Sequence, residues 1–113
     1  MRVTFRTVRL TKLHPLTISR GTSTGSNNLF VMVSDGDVTG IGECAPGTGY
    51  DDTLAAEAQA QLESIVQDGL GDGSPYAVYA RMAAAHVDPA AMAAMDVALW
   101  DFWAKRAGLP LYR

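Results

Sequence analysis

The residues that most often carry out chemistry are scattered in this sequence. Its two histidines, His14 and His86, lie far apart, and Cys44 is the only cysteine among 113 residues. One cysteine cannot form a disulfide within the chain, and no pair of cysteines or histidines has the spacing of a metal site. The sequence therefore predicts no metal site of its own, and it favours a reducing, cytoplasmic compartment.

Three small residues match a nucleotide-binding motif in their letters alone. Gly40, Gly42 and Ala45 fit the pattern G-x-G-x-x-A. However, Pro46 and a further loop follow where the phosphate-binding helix would begin, and no parallel βαβ unit is available. The glycine-containing segment 21–26 lacks the lysine of a phosphate loop. We therefore exclude a nucleotide site at both places.

Charge and hydropathy argue against two classes of partner. Cations interleaved along a strand more often guard its edge than bind nucleic acid, and the chain as a whole is acidic, with a net charge of −3. No apolar run approaches the roughly 18 to 20 residues of a membrane helix. We predict a soluble protein without a nucleic-acid or membrane partner. The cations that precede the first acidic residue are Arg2, Arg6, Arg9, Lys12 and Arg20.

The first strand is predicted from an alternation of apolar and polar residues over 3–13. The phase of this alternation changes near Arg6 and Thr7, as a β-bulge would require. Pro15 is expected to end the strand. The next segment, 21–28, contains two glycines and no apolar residue, and this composition predicts a surface loop.

Two further strands complete a predicted antiparallel meander. Residues 29–33 form a short apolar run, 34–37 have the composition of a turn, and 38–44 can return as the second arm of a hairpin. With 48% apolar residues, the chain can bury one core. We therefore expect a single α+β domain over 1–113.

The second half of the sequence predicts three helices, because its apolar period changes to near 3.6. Serine and aspartate followed by proline mark two of the starts, and glycine marks two of the ends. The first helix is predicted to have Asp52 or Thr53 as its N-cap and Gly69 at its end. The second is predicted to start at Ser74-Pro75, and the third to run from Asp88-Pro89 to about Ala107, before Gly108.

Apolar residues cover more than half the circumference of the third helix, in two neighbouring stripes. A packed tryptophan buries about 150 to 250 Å² and so contributes several kcal/mol. Two short helices and a small sheet can hardly cover both stripes, so this helix is expected to lie between its own domain and another. The stripes are Met92, Met95, Leu99, Phe102 and Trp103, and Ala93, Val97, Trp100 and Ala104.

Two carboxylates on this helix have different predicted environments. Asp96 lies within the apolar arc and needs polar partners. We interpret it as a structural acceptor of hydrogen bonds from a nearby chain turn, rather than as a catalytic group. Asp101 is placed one turn before Lys105, and the two are expected to form an ion pair at the solvent edge.

Two segments together resemble a known family. Residues 40–46 read GIGECAP, and residues 94–101 read AMDVALWD, continuing to GLPLY at 108–112. With the order of hairpin and helices, they resemble the N-terminal capping domain of the enolase superfamily, in the branch of mandelate racemase and muconate lactonizing enzymes. The sequence HPLT at 14–17, with Arg20 and the strand from Asn28, is most similar to dipeptide epimerases.

The resemblance implies a three-stranded meander followed by a three-helix bundle, with a linker from about 108–113 to a TIM-like barrel that this chain lacks. Such enzymes abstract a proton α to a carboxylate with a Lys or His base, while Mg²⁺ stabilises the ene-diolate. The base and the metal ligands lie at the ends of barrel strands. The chain alone is therefore expected to be inactive and to continue past Arg113 in the native protein.

The implied partners are the barrel of the same protein and a small carboxylate or dipeptide, of the L-Ala-D/L-Glu type. A homo-oligomer is compatible with the resemblance. A muconate cycloisomerase or o-succinylbenzoate synthase lid stays open, since lid sequence alone rarely fixes a substrate. So does a stand-alone binding domain without chemistry.

In such enzymes the capping domain closes over the barrel mouth and contacts the distal part of the substrate. Two segments suit this task. In 19–28, Arg20 could bind a carboxylate through both arms of its guanidinium, with Thr22 beside it. In 47–51, Tyr50 could stack on the ligand or donate a hydrogen bond to it. Glu43, at a strand end, is the fourth predicted substrate-binding residue.

Overall fold

The chain forms one small sheet with helices packed on one of its faces. The computed structural model describes residues 1–18, 21–44 and 52–108, and among these the side chains of 1–8, 28–44 and 54–108. The elements are the strands β1 (Arg2–Ile18), β2 (Gly21–Asp35) and β3 (Val38–Cys44), followed by the helices α1 (Asp52–Gln67), α2 (Pro75–Ala84) and α3 (Pro89–Arg106). The sheet is antiparallel with the order β1-β2-β3. The predicted meander followed by three helices is confirmed.

β1 and β2 pair over a longer stretch than the sequence indicated. Their ladder continues as far as Ile18 opposite Gly21. The predicted loop over 21–28 is therefore wrong, and so is the predicted end of the first strand at Pro15. Pairing with β1 gives the backbone N–H and C=O groups of 21–28 hydrogen-bond partners, and this outweighs the loop-like composition of the segment.

The irregularity in this ladder lies further along than predicted. Arg6 and Thr7 each have a regular partner on β2, so the bulge predicted there is wrong. The register shifts instead between Thr11 and Leu16, and Pro15 lies inside this interruption. A proline is tolerated at such a point because its missing N–H breaks no ladder bond.

The β2–β3 hairpin agrees with the sequence. A two-residue turn joins Asp35 to its partner Val38. Its first residue, Gly36, has φ of 60°, a conformation that glycine adopts without steric penalty and that matches the twist of a hairpin.

The core lies between the sheet and the helices. The inward face of β2 carries Leu29, Val31 and Val33, none of which has any exposed surface. All three helices contribute residues to the same cluster, which makes it a single core. These residues include Ala58, Leu62 and Ile65 from α1, Val78 and Met82 from α2, and Met92, Met95, Leu99 and Phe102 from α3.

The helix boundaries follow the predicted signals. α1 begins at Asp52, and Gly69 follows its end with φ of 87°. The side chain of Ser74 accepts a hydrogen bond at the start of α2, and that of Asp88 accepts one from Ala90 at 2.8 Å at the start of α3. In the described part of the chain, no helix combines the length and apolarity that a membrane crossing requires.

Two long side chains hold the helices together. The guanidinium of Arg81 on α2 donates to the carbonyl of Gly69 and, at 3.1 Å, to that of Ile65, and so binds the open end of α1. The indole of Trp103 on α3 donates to the carbonyl of Gly73 at 2.9 Å. These bonds fix α2 between its neighbours, and they could not be inferred from local sequence.

Candidate functional site

Of the four predicted substrate-binding residues, Glu43 is the one whose side chain is described. It lies on β3 and is exposed, with Oε2 accepting a hydrogen bond of 2.5 Å from Nδ2 of Asn28. Since its neighbours Gly42 and Cys44 face the core, Glu43 points to the outer face of the sheet. Asn28 is buried although the sequence assigned it to a loop. The apolar pattern of the sequence could not predict the burial of Asn28, because its hydrogen-bond partner, Glu43, lies on another strand.

The other three predictions concern the far end of the β1–β2 hairpin and the segment after β3. Arg20 and Tyr50 lie outside the described residues. Thr22 lies on β2 opposite Thr17, and its side chain is outside the described set. Phe30 pairs with Glu43. Thr22 lies eight residues before Phe30 on β2, so at about 3.4 Å per residue it stands roughly 27 Å from Glu43. The described backbone does not bring these two residues together.

One side of the helical layer presents large apolar side chains to solvent. Tyr76 of α2 is 76% exposed, Val97 of α3 is 42% exposed and Trp100 of α3 is 37% exposed. The rings of Tyr76 and Trp100 meet edge to face with centroids 5.2 Å apart. We call these three residues the aromatic face. The sequence predicted that one stripe of α3 would stay uncovered within this domain, and Val97 and Trp100 confirm it, but it did not indicate Tyr76.

Asp96 borders the aromatic face. Burial raises the pKa of its carboxyl group, and a hydrogen bond from the side chain of Trp100 partly offsets this effect. Within the described part of the chain, its partner is therefore a residue on the same helix rather than the chain turn that we expected. An Asp with a raised pKa beside an exposed indole suits a polar contact at the border of an interface.

The opposite side of α3 packs closely on β3. A Cβ atom built on Gly42 would lie 1.8 Å from the carbonyl oxygen of Ala94, and one built on Gly40 would lie 2.1 Å from that of Ala98. Only hydrogen fits there, so the strand backbone touches the helix backbone. We call this contact the α3–β3 seam. The glycine pattern that mimics a nucleotide motif therefore serves close packing.

Asp101 fixes the free edge of β3 to α3. It forms the predicted ion pair with Lys105 at 2.9 Å and accepts the backbone N–H of Ile41 at 2.9 Å. Lys105 also donates to the carbonyl of Thr39 at 2.9 Å. Burial by itself raises the pKa of Asp101, but the hydrogen bonds from Lys105 and Ile41 and the charge of Lys105 outweigh it, so the pKa is lowered. Polar groups of an edge strand are thus covered.

Cys44 has the environment of an inert thiol. It is buried at the end of β3, and burial, together with the negative charges of Asp88 and Glu43, raises its pKa. Across 1–18, 21–44 and 52–108, no three His, Cys, Asp or Glu side chains come together in a way that could hold a metal ion.

Comparison with known proteins gives a match over the whole chain. The family model described as the N-terminal domain of mandelate racemase and muconate lactonizing enzyme matches residues 1–113. A hydrophobic dipeptide epimerase of Roseobacter litoralis is 46% identical over 112 residues, which cover 99% of this chain. Another hydrophobic dipeptide epimerase, from a Flavobacteria bacterium, is 40% identical over 111 residues, or 98% of the chain. The chain spans 32% of the length of each of these curated relatives.

Solved structures share the fold. The dipeptide epimerase of Enterococcus faecalis, complexed with Mg and L-Leu-L-Tyr, matches with a TM-score of 0.78 at 28% identity. That of Cytophaga hutchinsonii, complexed with Mg and D-Ala-L-Val, matches with a TM-score of 0.75 at 26% identity. Both matches cover 97% of this chain, and they cover 32% and 31% of the respective structures.

Proposed function

Because this chain belongs to the family of mandelate racemase and muconate lactonizing enzyme N-terminal domains, we propose that it is the capping domain of a dipeptide epimerase. The chain is a dipeptide-epimerase-like N-terminal domain of an enolase superfamily member. The remainder of the protein would be the barrel that holds the catalytic base. The observation that carries the proposal is the 46% identity to a hydrophobic dipeptide epimerase over nearly the whole chain.

The aromatic face is the proposed contact with the barrel. Its residues Tyr76, Val97 and Trp100 lie on α2 and α3 and are exposed in this domain. Large aromatic side chains that are exposed in one domain are typical of the buried centre of an interface. Docking there would remove Trp100 from water.

The proposed role of the domain is to close the site and to contact the distal side chain of a dipeptide. Closure excludes water, which strengthens the electrostatic interactions of the reacting groups. Mg²⁺ would stabilise the ene-diolate formed when the α-proton leaves. The described residues offer no cluster of ligands for it, so we assign no step through the metal to them.

We favour a dipeptide with apolar side chains as the substrate. Both relatives that share at least 40% identity with this chain are named for hydrophobic dipeptides. A dipeptide of the L-Ala-D/L-Glu type is the second candidate, because Arg20 is the only cation in 19–28 and could bind an acidic side chain.

A domain exchange tests the capping role. The 112-residue segment of the Roseobacter litoralis enzyme that matches this chain would be replaced by this chain. Epimerisation would be followed as deuterium incorporation from D₂O at the α-carbon. We expect the chimera to epimerise hydrophobic dipeptides. A folded chimera that binds dipeptide but exchanges no α-proton would contradict the proposed function.

A matched pair of variants in the chimera tests the contact with the barrel. Trp100→Ser should lower kcat/KM by about ten-fold or more, because it removes an aromatic anchor worth roughly 2 kcal/mol or more. Glu57→Gln, on an exposed position of α1, should leave kcat/KM unchanged. Equal effects of both substitutions would show that the aromatic face is not the contact.

Arg20→Ala separates the two substrate candidates. If Arg20 binds an acidic side chain, the variant should lose kcat/KM on acidic dipeptides while retaining its turnover of neutral ones. Competition between the two classes of dipeptide in one reaction measures this selectivity directly. Equal loss on both classes would remove Arg20 from the specificity site and leave apolar dipeptides as the proposed substrates.

A further inference from the structure

The face of the sheet that points away from the helices carries an apolar strip. Phe30 and Met32 occupy its centre on β2, flanked by Val8 on β1 and by Ile41 on β3, which is 45% exposed. Together with Arg6 they line a shallow depression of about 290 Å³. Contiguous apolar surface of this kind on a sheet is typical of an interaction site.

Opposite charges flank this strip in a single row. Arg6 of β1 pairs with Phe30 of β2, which in turn pairs with Glu43 of β3. With strands about 4.8 Å apart, the cation and the anion stand roughly 10 Å from each other on either side of the phenylalanine. The hydrogen bond from Asn28 holds one oxygen of Glu43, and the other oxygen of a carboxylate can still accept from a guanidinium.

We propose that this face binds a second copy of the same chain, sheet against sheet, about a two-fold axis parallel to β2. Such an axis places β1 of one copy over β3 of the other and keeps each row in register. Arg6 then meets the partner's Glu43, and Glu43 meets the partner's Arg6. Phe30 and Met32 meet their own counterparts at the axis, as an isologous interface requires.

The geometry is that of an ordinary sheet sandwich. Two faces packed about 10 Å apart, with strands within about 30° of each other, bring opposing side chains into contact. The charge pattern is self-complementary only in this orientation. If one copy were instead turned by 180° within the plane of its sheet, Arg6 would face the partner's Arg6 and Glu43 would face the partner's Glu43. A second copy is therefore the occupant that the charges on this face select.

The size of the face sets the expected strength. Three strands about 4.8 Å apart, carrying described side chains over about 20 Å, give a smaller patch than the roughly 800 Å² per partner of a standard interface. The dimer is therefore expected to be weak and to dissociate on dilution. Because its ion pairs lie at the rim, it is also expected to weaken as salt is added.

Charge reversal tests the proposal in the 113-residue chain. Sedimentation equilibrium over a wide concentration range would compare the unmodified chain with Arg6→Glu, Glu43→Arg and the double variant. Each single reversal places two pairs of like charges in the dimer and should weaken association by about ten-fold or more. The double variant restores opposite charges and should recover most of the loss. Far-UV circular dichroism would confirm that each variant is folded.

A variant on the other side of the molecule serves as the control. Trp100→Ser alters the aromatic face and should leave the dimerisation constant unchanged, which separates this interface from the proposed contact with the barrel. A chain that stays monomeric at every concentration would overturn the proposal. Association that the single reversals leave intact, or that the double reversal fails to recover, would overturn it equally.

Discussion

The two sides of α3 differ in the size of their residues and in what they contact. On the α3–β3 seam, glycine and alanine allow the two backbones to touch, and Gly42 leaves no room for a Cβ atom beside Ala94. On the aromatic face, the rings of Trp100 and Tyr76 meet edge to face and remain partly in water. Small residues at close approach stabilise the domain itself, whereas large exposed rings retain surface for another partner.

The comparison also separates two carboxylates on the same helix. Asp101, on the seam side, has a lowered pKa because hydrogen bonds and the charge of Lys105 outweigh its burial. Asp96, beside the aromatic face, has a raised pKa because burial outweighs its hydrogen bond with Trp100. The charge of Asp101 therefore stabilises the fold, whereas the charge of Asp96 destabilises it.

The largest expected effect contrasts Phe102 with Trp100. Phe102 is fully buried behind the seam, so Phe102→Ala should lower the free energy of unfolding by about 3 to 5 kcal/mol. Trp100→Ala removes a partly exposed ring and one edge-to-face contact, and it should lower the same quantity by about 1 kcal/mol. Urea denaturation followed by circular dichroism measures both. Similar losses for the two variants would break the distinction between the faces.

A second pair of variants tests the seam through its glycines. Gly42→Ala forces a methyl group against the backbone of α3 and should destabilise the chain by about 3 kcal/mol. In Gly36→Ala, in the β2–β3 turn, the added Cβ atom has no other atom within 4 Å, and the only cost is the φ of 60°. The free energy of unfolding should therefore fall by about 1 kcal/mol. If Gly42→Ala were the milder change, the close approach of strand and helix would be wrong.

The smallest expected effects come from the carboxylates, and they have opposite signs. Asp101→Asn should destabilise the chain at neutral pH, because a lowered pKa contributes stability above the ordinary carboxyl pKa of about 3.9 and loses it as the pH falls through the folded value. The difference from the unmodified chain should therefore shrink below about pH 4. Urea midpoints measured from acid to neutral pH give this profile.

Asp96→Asn should act in the reverse sense. A raised pKa contributes stability that is fully present below about pH 3.9 and is lost as the pH rises through the folded value. The variant should therefore be more stable than the unmodified chain at neutral pH and equal to it in acid. The same sign for both substitutions would contradict the opposite environments of the two carboxylates.

The sequence predicted the helix boundaries because each boundary is set by interactions between residues that are close together in the chain. The caps at Ser74 and Asp88 act on N–H groups two or three residues away. Gly69 and Gly108 end helices through their own positive φ. The pair of Asp101 with Lys105 spans one helical turn. Each of these interactions is complete within a few positions of the chain.

The candidate site was predicted less fully. Glu43 lies at a strand end as predicted and is exposed. Its hydrogen bond to Asn28 joins two strands, and the sequence had assigned Asn28 to a loop. The segment 21–28 forms a strand because β1 supplies its hydrogen-bond partners. Arg20 and Tyr50 remain predictions from their chemistry and from the family resemblance.

By itself, the sequence determined the α+β order, the helix caps, the two apolar stripes of α3 and the family to which the chain belongs. Only the tertiary structure decided which stripe is buried, why glycine occurs at 40 and 42, and which charges face each other across the sheet. Local propensity depends on neighbouring residues in the chain, so it can be predicted from the sequence. Close packing and strand pairing join residues from distant parts of the sequence, and their partners become known only when the chain has folded.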